Sequence, residues 1–218
     1  MFGDANGNFR PGGILTRAEA ATILARTQLL NFEHNISVLP PGMMIFDAFA
    51  DVRPGQWFYY YIAWAYDAGL IQGFAGSFRP NDPITREELA AIIVRAGAIN
   101  HPPSDANFND TDNASSWARI YVNIAYHEGL IIGDSSGNFR PQHNITRAET
   151  ATAINRLLGR VDSRTALYAA NVENMNVARQ FPDVAARVWY FASIIGASND
   201  YYLTRDYADA VDWKLIVR

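Results

Sequence analysis

The feature that most constrains this chain is a motif that occurs three times in the same register. Each copy places Gly, Phe and Pro nine, seven and five residues before a threonine, and Arg-x-Glu follows that threonine. The three threonines are Thr16, Thr85 and Thr146. In a repeat of this kind each copy forms one supersecondary unit, and neighbouring copies must pack together to bury their apolar faces. We call this motif the B half and number its copies in chain order.

A second motif, the A half, alternates with the first. It reads Phe-x-Asp, then a tryptophan, with an aliphatic residue five positions and an alanine eight positions after the tryptophan. Its copies begin at Phe49, Phe108 and Phe181, so the order along the chain is B-AB-AB-A. The first B half lacks an A half before it, and the last A half lacks a B half after it. We therefore predict one domain composed of 1–30, 49–97, 108–158 and 181–200, in which the last A half joins the first B half. Residues 201–218 match neither motif and stay unassigned.

Both halves are predicted to be helical. Thr-x-x-Glu before an apolar periodic run is the capping box of a helix start, and it predicts helices over roughly 16–29, 85–97 and 146–158. The A half is predicted to be a helix from the tryptophan to the residue before Gly69 or Gly129, where glycine closes it. No strand pattern competes with these helices. The sequence therefore predicts an all-α fold, a pseudo-threefold bundle of three repeats with long connecting loops at 31–48, 98–107 and 159–180.

Composition excludes several function classes. Eighteen Lys and Arg against 22 Asp and Glu give a net charge of −4, which is not the footprint of a nucleic-acid binder. The chain has no cysteine, its four histidines lack metal-ligand spacing, and no catalytic triad order or glycine-rich phosphate loop occurs. We therefore predict no enzyme activity, no metal and no cofactor. The longest apolar and aromatic run, 57–66, is too short for membrane insertion. The first residues lack the pattern of a signal peptide, so we expect a fragment or the mature part of a longer protein.

The motifs resemble the S-layer homology domain family. Its pattern combines Phe-x-Asp-Val, Trp, Gly-Leu-Ile-x-Gly, Gly-x-Phe-x-Pro and Ile-Thr-Arg-x-Glu, and both complete copies carry nearly all of it. The second copy departs from it in reading Thr85-Arg-Glu-Glu and in a loop before Gly76 that is one residue shorter. The resemblance implies a pseudo-trimeric helical module, extracellular at the cell wall or S-layer. Its usual ligand is a secondary cell-wall polysaccharide, often with a pyruvylated amino sugar, bound in grooves.

An acidic sugar of this kind needs a cation, an aromatic face and polar partners. The arginines occupy the first helical position, where we expect them to be solvent-accessible beside free N–H groups that favour anions. A guanidinium group also matches a carboxylate in a bidentate arrangement. One arginine, one tryptophan and one aspartate from each copy are the predicted glycan-binding residues: Arg17, Arg86, Arg147, Trp57, Trp117, Trp189, Asp51, Asp110 and Asp183.

Structural roles are the alternatives for these residues. The arginines would then be ordinary helix-start residues, the tryptophans core anchors, and the aspartates helix caps or partners of an arginine. Two further recurring sets are predicted to be structural: the capping glutamates Glu19, Glu88 and Glu149, and Arg26, Arg95 and Arg156, which would bridge to a neighbouring repeat.

The sequence thus favours a non-catalytic cell-envelope anchoring module. It would bind an anionic secondary cell-wall polysaccharide, or a peptidoglycan-linked glycan, without a covalent bond. The alternative is a structural assembly or docking subunit of an extracellular lattice or fibre, with protein partners and degenerate glycan grooves.

Overall fold

The computed structural model describes residues 1, 3–30, 46–100, 108–160, 180–198, 200–205 and 211–216. Within them lie the helices α1 (Arg17–Leu30), α2 (Tyr59–Asp67), α3 (Arg86–Ala96), α4 (Arg119–His127), α5 (Arg147–Leu157) and α6 (Phe191–Ser198). The predicted all-α fold of the repeats is confirmed. The pseudo-threefold arrangement and the domain boundaries stay predictions, and most of the three connecting loops falls outside the described residues.

The chain divides into two compact units. Residues Ile14–Ile145 form one of them, which carries α1 to α4 and which we call the central unit. The other consists of Met1–Gly13 together with Thr146–Arg218; it carries α5 and α6, and we call it the terminal unit. Each is described separately below.

The B-half helices begin where the capping box predicts. In α3 the Thr85 hydroxyl accepts the N–H of Glu88 at 3.3 Å, and the Glu88 carboxylate accepts the N–H of Thr85 at 3.0 Å. The pairs Thr16–Glu19 and Thr146–Glu149 make the same reciprocal bonds. All three helices agree with the predicted bounds to within one residue at each end. The capping role of the glutamates is therefore confirmed.

The A-half helices begin two residues later than predicted, because each tryptophan lies in a turn that precedes the helix. In α2, for example, the N–H of Tyr59 closes that turn on the carbonyl of Gln56 at 3.0 Å. The glycine at the other end acts as predicted. Gly69 has φ +71°, its N–H bonds to the carbonyl of Tyr66, and the N–H of Leu70 bonds to Ala65. This is a Schellman closure, and it turns the following Leu-Ile pair into the core.

Ala98 occupies a backbone position that favours glycine. After α3 it has φ +49°, whereas the corresponding residue after α5 is Gly159 with φ +62°. An L-residue in this left-handed region is strained by its own Cβ, at a cost of about 1 kcal/mol. We expect Ala98→Gly to raise the free energy of unfolding by about 0.5 kcal/mol, because relief of this strain exceeds the entropy that glycine adds to the unfolded chain.

Urea unfolding followed by circular dichroism measures this change. Gly159→Ala is the reverse variant: a Cβ at that position meets no atom within 4 Å, so it tests backbone strain alone and should destabilise the protein. Equal signs for the two variants would contradict the prediction.

The glycine that ends Leu-Ile-x-Gly allows an aromatic ring to approach the backbone. A Cβ on Gly73 would lie 2.3 Å from the ring of Phe49, and one on Gly133 would lie 2.6 Å from the ring of Phe108. Phe49 in turn stacks on Phe78 with ring centroids 5.5 Å apart. The A-half phenylalanine therefore packs between the glycine and the B-half phenylalanine of its own copy.

Three residues that precede the capping threonines form a closed hydrogen-bonded triangle in the central unit. The N–H of Ile84 donates to the carbonyl of Leu15 at 3.0 Å, that of Ile145 to Ile84 at 3.0 Å, and that of Leu15 to Ile145 at 3.5 Å. Their side chains are fully buried. The triangle thus ties Leu15, Ile84 and Ile145 together within the central unit.

A two-stranded antiparallel sheet lies in the terminal unit and was not predicted. Strands β1 (Asp200–Arg205) and β2 (Val211–Ile216) pair antiparallel, with Asp200 opposite Ile216. The alternation of apolar and charged residues in β2 (Val-Asp-Trp-Lys-Leu) is the signal that could have identified it. The statement that no strand pattern occurs was wrong for these residues.

Candidate functional site

The predicted aspartates join the two halves of each repeat. Asp110 accepts the backbone N–H of Phe139 at 2.8 Å and that of Arg140 at 2.7 Å, one on each carboxylate oxygen. Asp51 holds the N–H groups of Phe78 and Arg79 in the same way at 2.9 and 2.7 Å. Asp110 makes no side-chain cap bond to the short 3₁₀ turn (Thr111–Asn113) that follows it. The alternative of helix capping is therefore wrong for Asp110, and glycan binding by the aspartates stays a prediction.

In the terminal unit the same contacts join residues from the two ends of the chain. Asp183 accepts the N–H of Phe9 at 2.9 Å and that of Arg10 at 2.7 Å. The ring centroids of Phe9 and Phe181 lie 5.2 Å apart, close to the 5.5 and 5.3 Å of the matching rings in the two complete copies. The last A half thus makes with the first B-half loop the contacts that an A half makes with its own B half.

The predicted arginines hold the loop of the next copy. In the central unit the Nε of Arg17 donates to the carbonyl of Phe78 at 2.8 Å, and that of Arg86 to Phe139 at 2.7 Å. Each guanidinium lies about 5 Å from the ring of the same phenylalanine. Only 7% of Arg17 and 4% of Arg86 is exposed, so the expected solvent accessibility was wrong for both. In the terminal unit Arg147 holds Phe9 through the same Nε bond, at 2.8 Å.

The helix starts beside these arginines do not offer free N–H groups. In α3 the N–H of Arg86 donates to the carbonyl of His143 at 2.9 Å, and that of Glu87 to Pro141 at 3.1 Å. The third N–H belongs to the capping box. The expectation of an anion site at the helix N-terminus was therefore wrong, because loop carbonyls of the next copy already satisfy its donors.

A groove of about 620 Å³ opens in the central unit. It is lined by α3, by the loop after Ile71, by the turn before α4 and by the third B-half loop. Of the predicted residues, Arg17 and Trp117 line it. Half of Trp117 and four fifths of Phe74 are exposed, so two aromatic rings face solvent along the groove. This volume is typical of small-molecule sites.

The other two predicted tryptophans are also exposed. Trp57 is 59% and Trp189 is 64% accessible. Neither is a core anchor, which excludes that alternative for all three tryptophans. Their part in glycan binding stays a prediction.

The charges that line the groove balance. They are three arginines and three carboxylates: Arg17, Arg79, Arg95, Asp82, Glu87 and Glu88. Arg17 forms an ion pair with Glu88 through Nη1. Glu87 is 2% exposed and accepts the N–H of Ser115 at 2.9 Å, the Ser115 hydroxyl at 2.7 Å and the Gln142 amide at 2.9 Å. Glu87 thereby fixes the turn that carries Trp117.

Arg95 bridges to the next repeat, as predicted. Its guanidinium lies 4.6 Å from the ring of Tyr121 on α4 and donates to the Tyr121 hydroxyl and to the carbonyl of Leu70. Arg26 holds Tyr61 on α2 in the same way. Arg95 also lines the groove. The acceptors of its three hydrogen bonds are uncharged oxygen atoms. Sequence reasoning missed this second role because it depends on the loop and turn opposite.

The described residues have two further features. No group of three or more histidine, aspartate and glutamate side chains there could hold a metal ion. Among the helices of the same residues, none has the length and apolar content that a bilayer crossing requires.

Comparison with known proteins gives a family and a set of relatives. A family model described as "S-layer homology domain" matches residues 1–21, 48–90 and 107–151. The relatives include the surface-layer 125 kDa protein of Lysinibacillus sphaericus, 33% identical over 74% of this chain and 13% of that protein. The cellulosome-anchoring protein of Acetivibrio thermocellus is 31% identical over 89% of this chain and 40% of its own length. An amylopullulanase of Thermoanaerobacterium thermosulfurigenes is 36% identical over 69% of this chain and 8% of that enzyme.

This chain therefore spans between 8% and 40% of the length of these three relatives. Two of them are named for the surface layer or for anchoring. Those names agree with the predicted extracellular location at the cell wall. In the amylopullulanase the matched part is a small fraction of the protein.

Proposed function

This chain belongs to the S-layer homology domain family, and from that membership we propose that it is a non-catalytic module that anchors a longer protein to the bacterial cell wall. Domains of this family in surface-layer and anchoring proteins bind the cell wall. Here the ligand would be an anionic secondary cell-wall polysaccharide, held without a covalent bond. The observation that carries the proposal is the groove of the central unit, with its exposed aromatic rings and its arginines.

The groove supplies the groups that a sugar ligand needs. The exposed ring of Trp117 offers an apolar face to a sugar ring, and the exposed polar side chains of Gln142 and Asn144 line the same space. Glu87 holds Ser115, two residues before Trp117, so the position of this ring is set before a ligand arrives. Such preorganisation lowers the entropy cost of binding.

The buried arginines act in this proposal through the loops that they hold. Arg17 lines the groove while its Nε and Nη groups bond to the carbonyls of Phe78 and Gln72 and to Glu88. It positions the second B-half loop and adds positive charge beside it. Further sites of the same kind on one chain would give avidity on a polymer even where each is weak.

Purified cell walls test the proposal directly. The protein should sediment with native walls, and acid extraction of the secondary polymer should abolish this binding. Trp117→Ala should weaken binding about tenfold, which corresponds to the loss of about 1.4 kcal/mol of contact. Ile120→Ala is the control, because Ile120 is equally exposed three residues further along the chain and does not line the groove. Equal effects of the two variants would remove Trp117 from the site.

The alternative is an assembly or docking role in an extracellular lattice. The surface-layer name of a relative is the observation that favours it. Sedimentation that survives extraction of the polymer, together with self-association of the protein in solution, would support this role and contradict glycan anchoring.

A further inference from the structure

One loop of the repeat changes its chemistry between copies. In the first and third copies an aspartate follows the close-packed glycine, and its carboxylate accepts two backbone N–H groups of the loop. Asp4 also forms an ion pair with Arg10, and Asp134 does so with Arg140 at 3.3 Å. In the second copy Phe74 occupies this place, and the loop is one residue shorter.

The backbone bonds keep these aspartates charged. The N–H of Asn8 is the main cause that lowers the pKa of Asp4, and the N–H of Asn138 does the same for the pKa of Asp134. The arginine of each loop, Arg10 or Arg140, therefore has a charged partner within hydrogen-bond distance in its own loop, at 2.5 and 3.3 Å.

The corresponding arginine of the second copy, Arg79, has no aspartate at the place that Asp4 and Asp134 occupy in the other two copies. Its closest carboxylate oxygens belong to Glu88 at 3.6 Å and Asp82 at 3.9 Å, both beyond hydrogen-bond distance. The same Glu88 oxygen already pairs with Arg17. The Arg79 side chain is 54% exposed and lines the groove. Loss of the loop aspartate thus leaves a loosely held guanidinium beside an exposed phenylalanine.

We propose that Arg79 is the residue of this groove that binds the carboxylate of an acidic sugar, and that Phe74 packs on the same sugar. The inference rests on the proposed function and names the two residues that would distinguish an acidic sugar from a neutral one. A guanidinium group that is held only by such long ion pairs can bind that carboxylate with two charge-assisted hydrogen bonds. The sequence predicted Arg17 for this role, but its guanidinium donates hydrogen bonds to Phe78, Gln72 and Glu88.

Calorimetric titration tests this with two matched ligands. The first is the methyl glycoside of an N-acetylhexosamine with a 4,6-pyruvate ketal, and the second is its methyl ester, which has no charge. Wild-type protein should bind the acid at least tenfold more tightly than the ester, the difference expected for a charge-assisted contact. Arg79→Gln should abolish this preference and leave the affinity for the ester unchanged.

Arg140→Gln is the matched control, since Arg140 has the same loop position but is paired with Asp134. It should keep the preference for the acid. Phe74→Ala should weaken acid and ester alike, whereas Phe74→Asp should weaken both and the acid more than the ester, because it also adds a negative charge to the groove.

Two outcomes would overturn the inference: an acid preference that persists in Arg79→Gln, or equal losses in Arg79→Gln and Arg140→Gln. Failure of the proposed function looks different. In that case wild-type protein would not sediment with native cell walls, whereas failure of the inference alone leaves wall binding intact without a role for Arg79.

Discussion

Replacement of Asp110 by alanine is expected to lower the free energy of unfolding of the central unit by about 3 kcal/mol. Its two carboxylate oxygens accept the N–H groups of Phe139 and Arg140 at 2.8 and 2.7 Å. Each hydrogen bond to a charged group contributes about 1.5 kcal/mol or more, and alanine supplies no acceptor in its place. The same bonds hold Arg140 at φ +57°, a conformation that a non-glycine residue adopts only when its surroundings fix it.

Thermal unfolding of the purified chain gives the readout, and the midpoint should fall by roughly 6 °C or more. Asp112→Ala is the control, because the Asp112 side chain is fully exposed two residues away. Asp110→Asn should lie between the two, since an amide retains a single acceptor oxygen. A loss as small as that of Asp112→Ala would show that Asp110 does not fasten the repeat.

The predictions that came true from the sequence are those that depend on local backbone chemistry. Thr85 and Glu88 cap α3 through residues three positions apart, so the motif alone carries the information. Gly69 closes α2 for the same reason, because its positive φ is needed whatever packs nearby. The helix count in the repeats and the ends of the B helices follow from such signals.

The burial of the recurring arginines could not be predicted from local sequence signals. Arg86 stands at an ordinary helix start, and only the loop of Phe139, 53 residues away, turns it into an interior residue. That loop also takes the backbone donors of α3, which removes the expected anion site. Recurrence in every copy indicated that the arginine matters, but a ligand contact and a contact between copies produce the same recurrence.

The binding role that we propose for the second-copy loop could not be predicted from the positions that all copies share. The repeat motif contains only residues that the copies share. Phe74 is not among them, because the other two copies have Asp4 and Asp134 at its place. In repeat proteins the shared residues build the scaffold, while the residues that vary between copies can set the properties of one groove. Here the departure at one position changes the partner of Arg79, whereas Asp51, which every copy matches, fastens the fold.

Replacement of Arg86 by methionine is expected to destabilise the central unit by about 3 kcal/mol. We expect it to remove no direct contact with a ligand. The Nε of Arg86 donates to the carbonyl of Phe139 at 2.7 Å, and Nη2 donates to that of Ile132 at 3.1 Å. Both hydrogen bonds have a charged donor. Methionine keeps the apolar part of the side chain but leaves the two carbonyls without a hydrogen-bond donor. Guanidinium contact with the Phe139 ring is lost as well.

Arg79→Gln provides the opposite case, because Arg79 is half exposed and its ion pairs are long. Exposed pairs of this kind contribute little to stability. In urea titrations Arg86→Met should shift the midpoint strongly and Arg79→Gln hardly at all, whereas binding of the acidic glycoside by the folded protein should fall only in Arg79→Gln. If Arg86→Met unfolds with the wild-type midpoint yet no longer binds the glycoside, then Arg86 contacts the ligand and its role between copies is secondary.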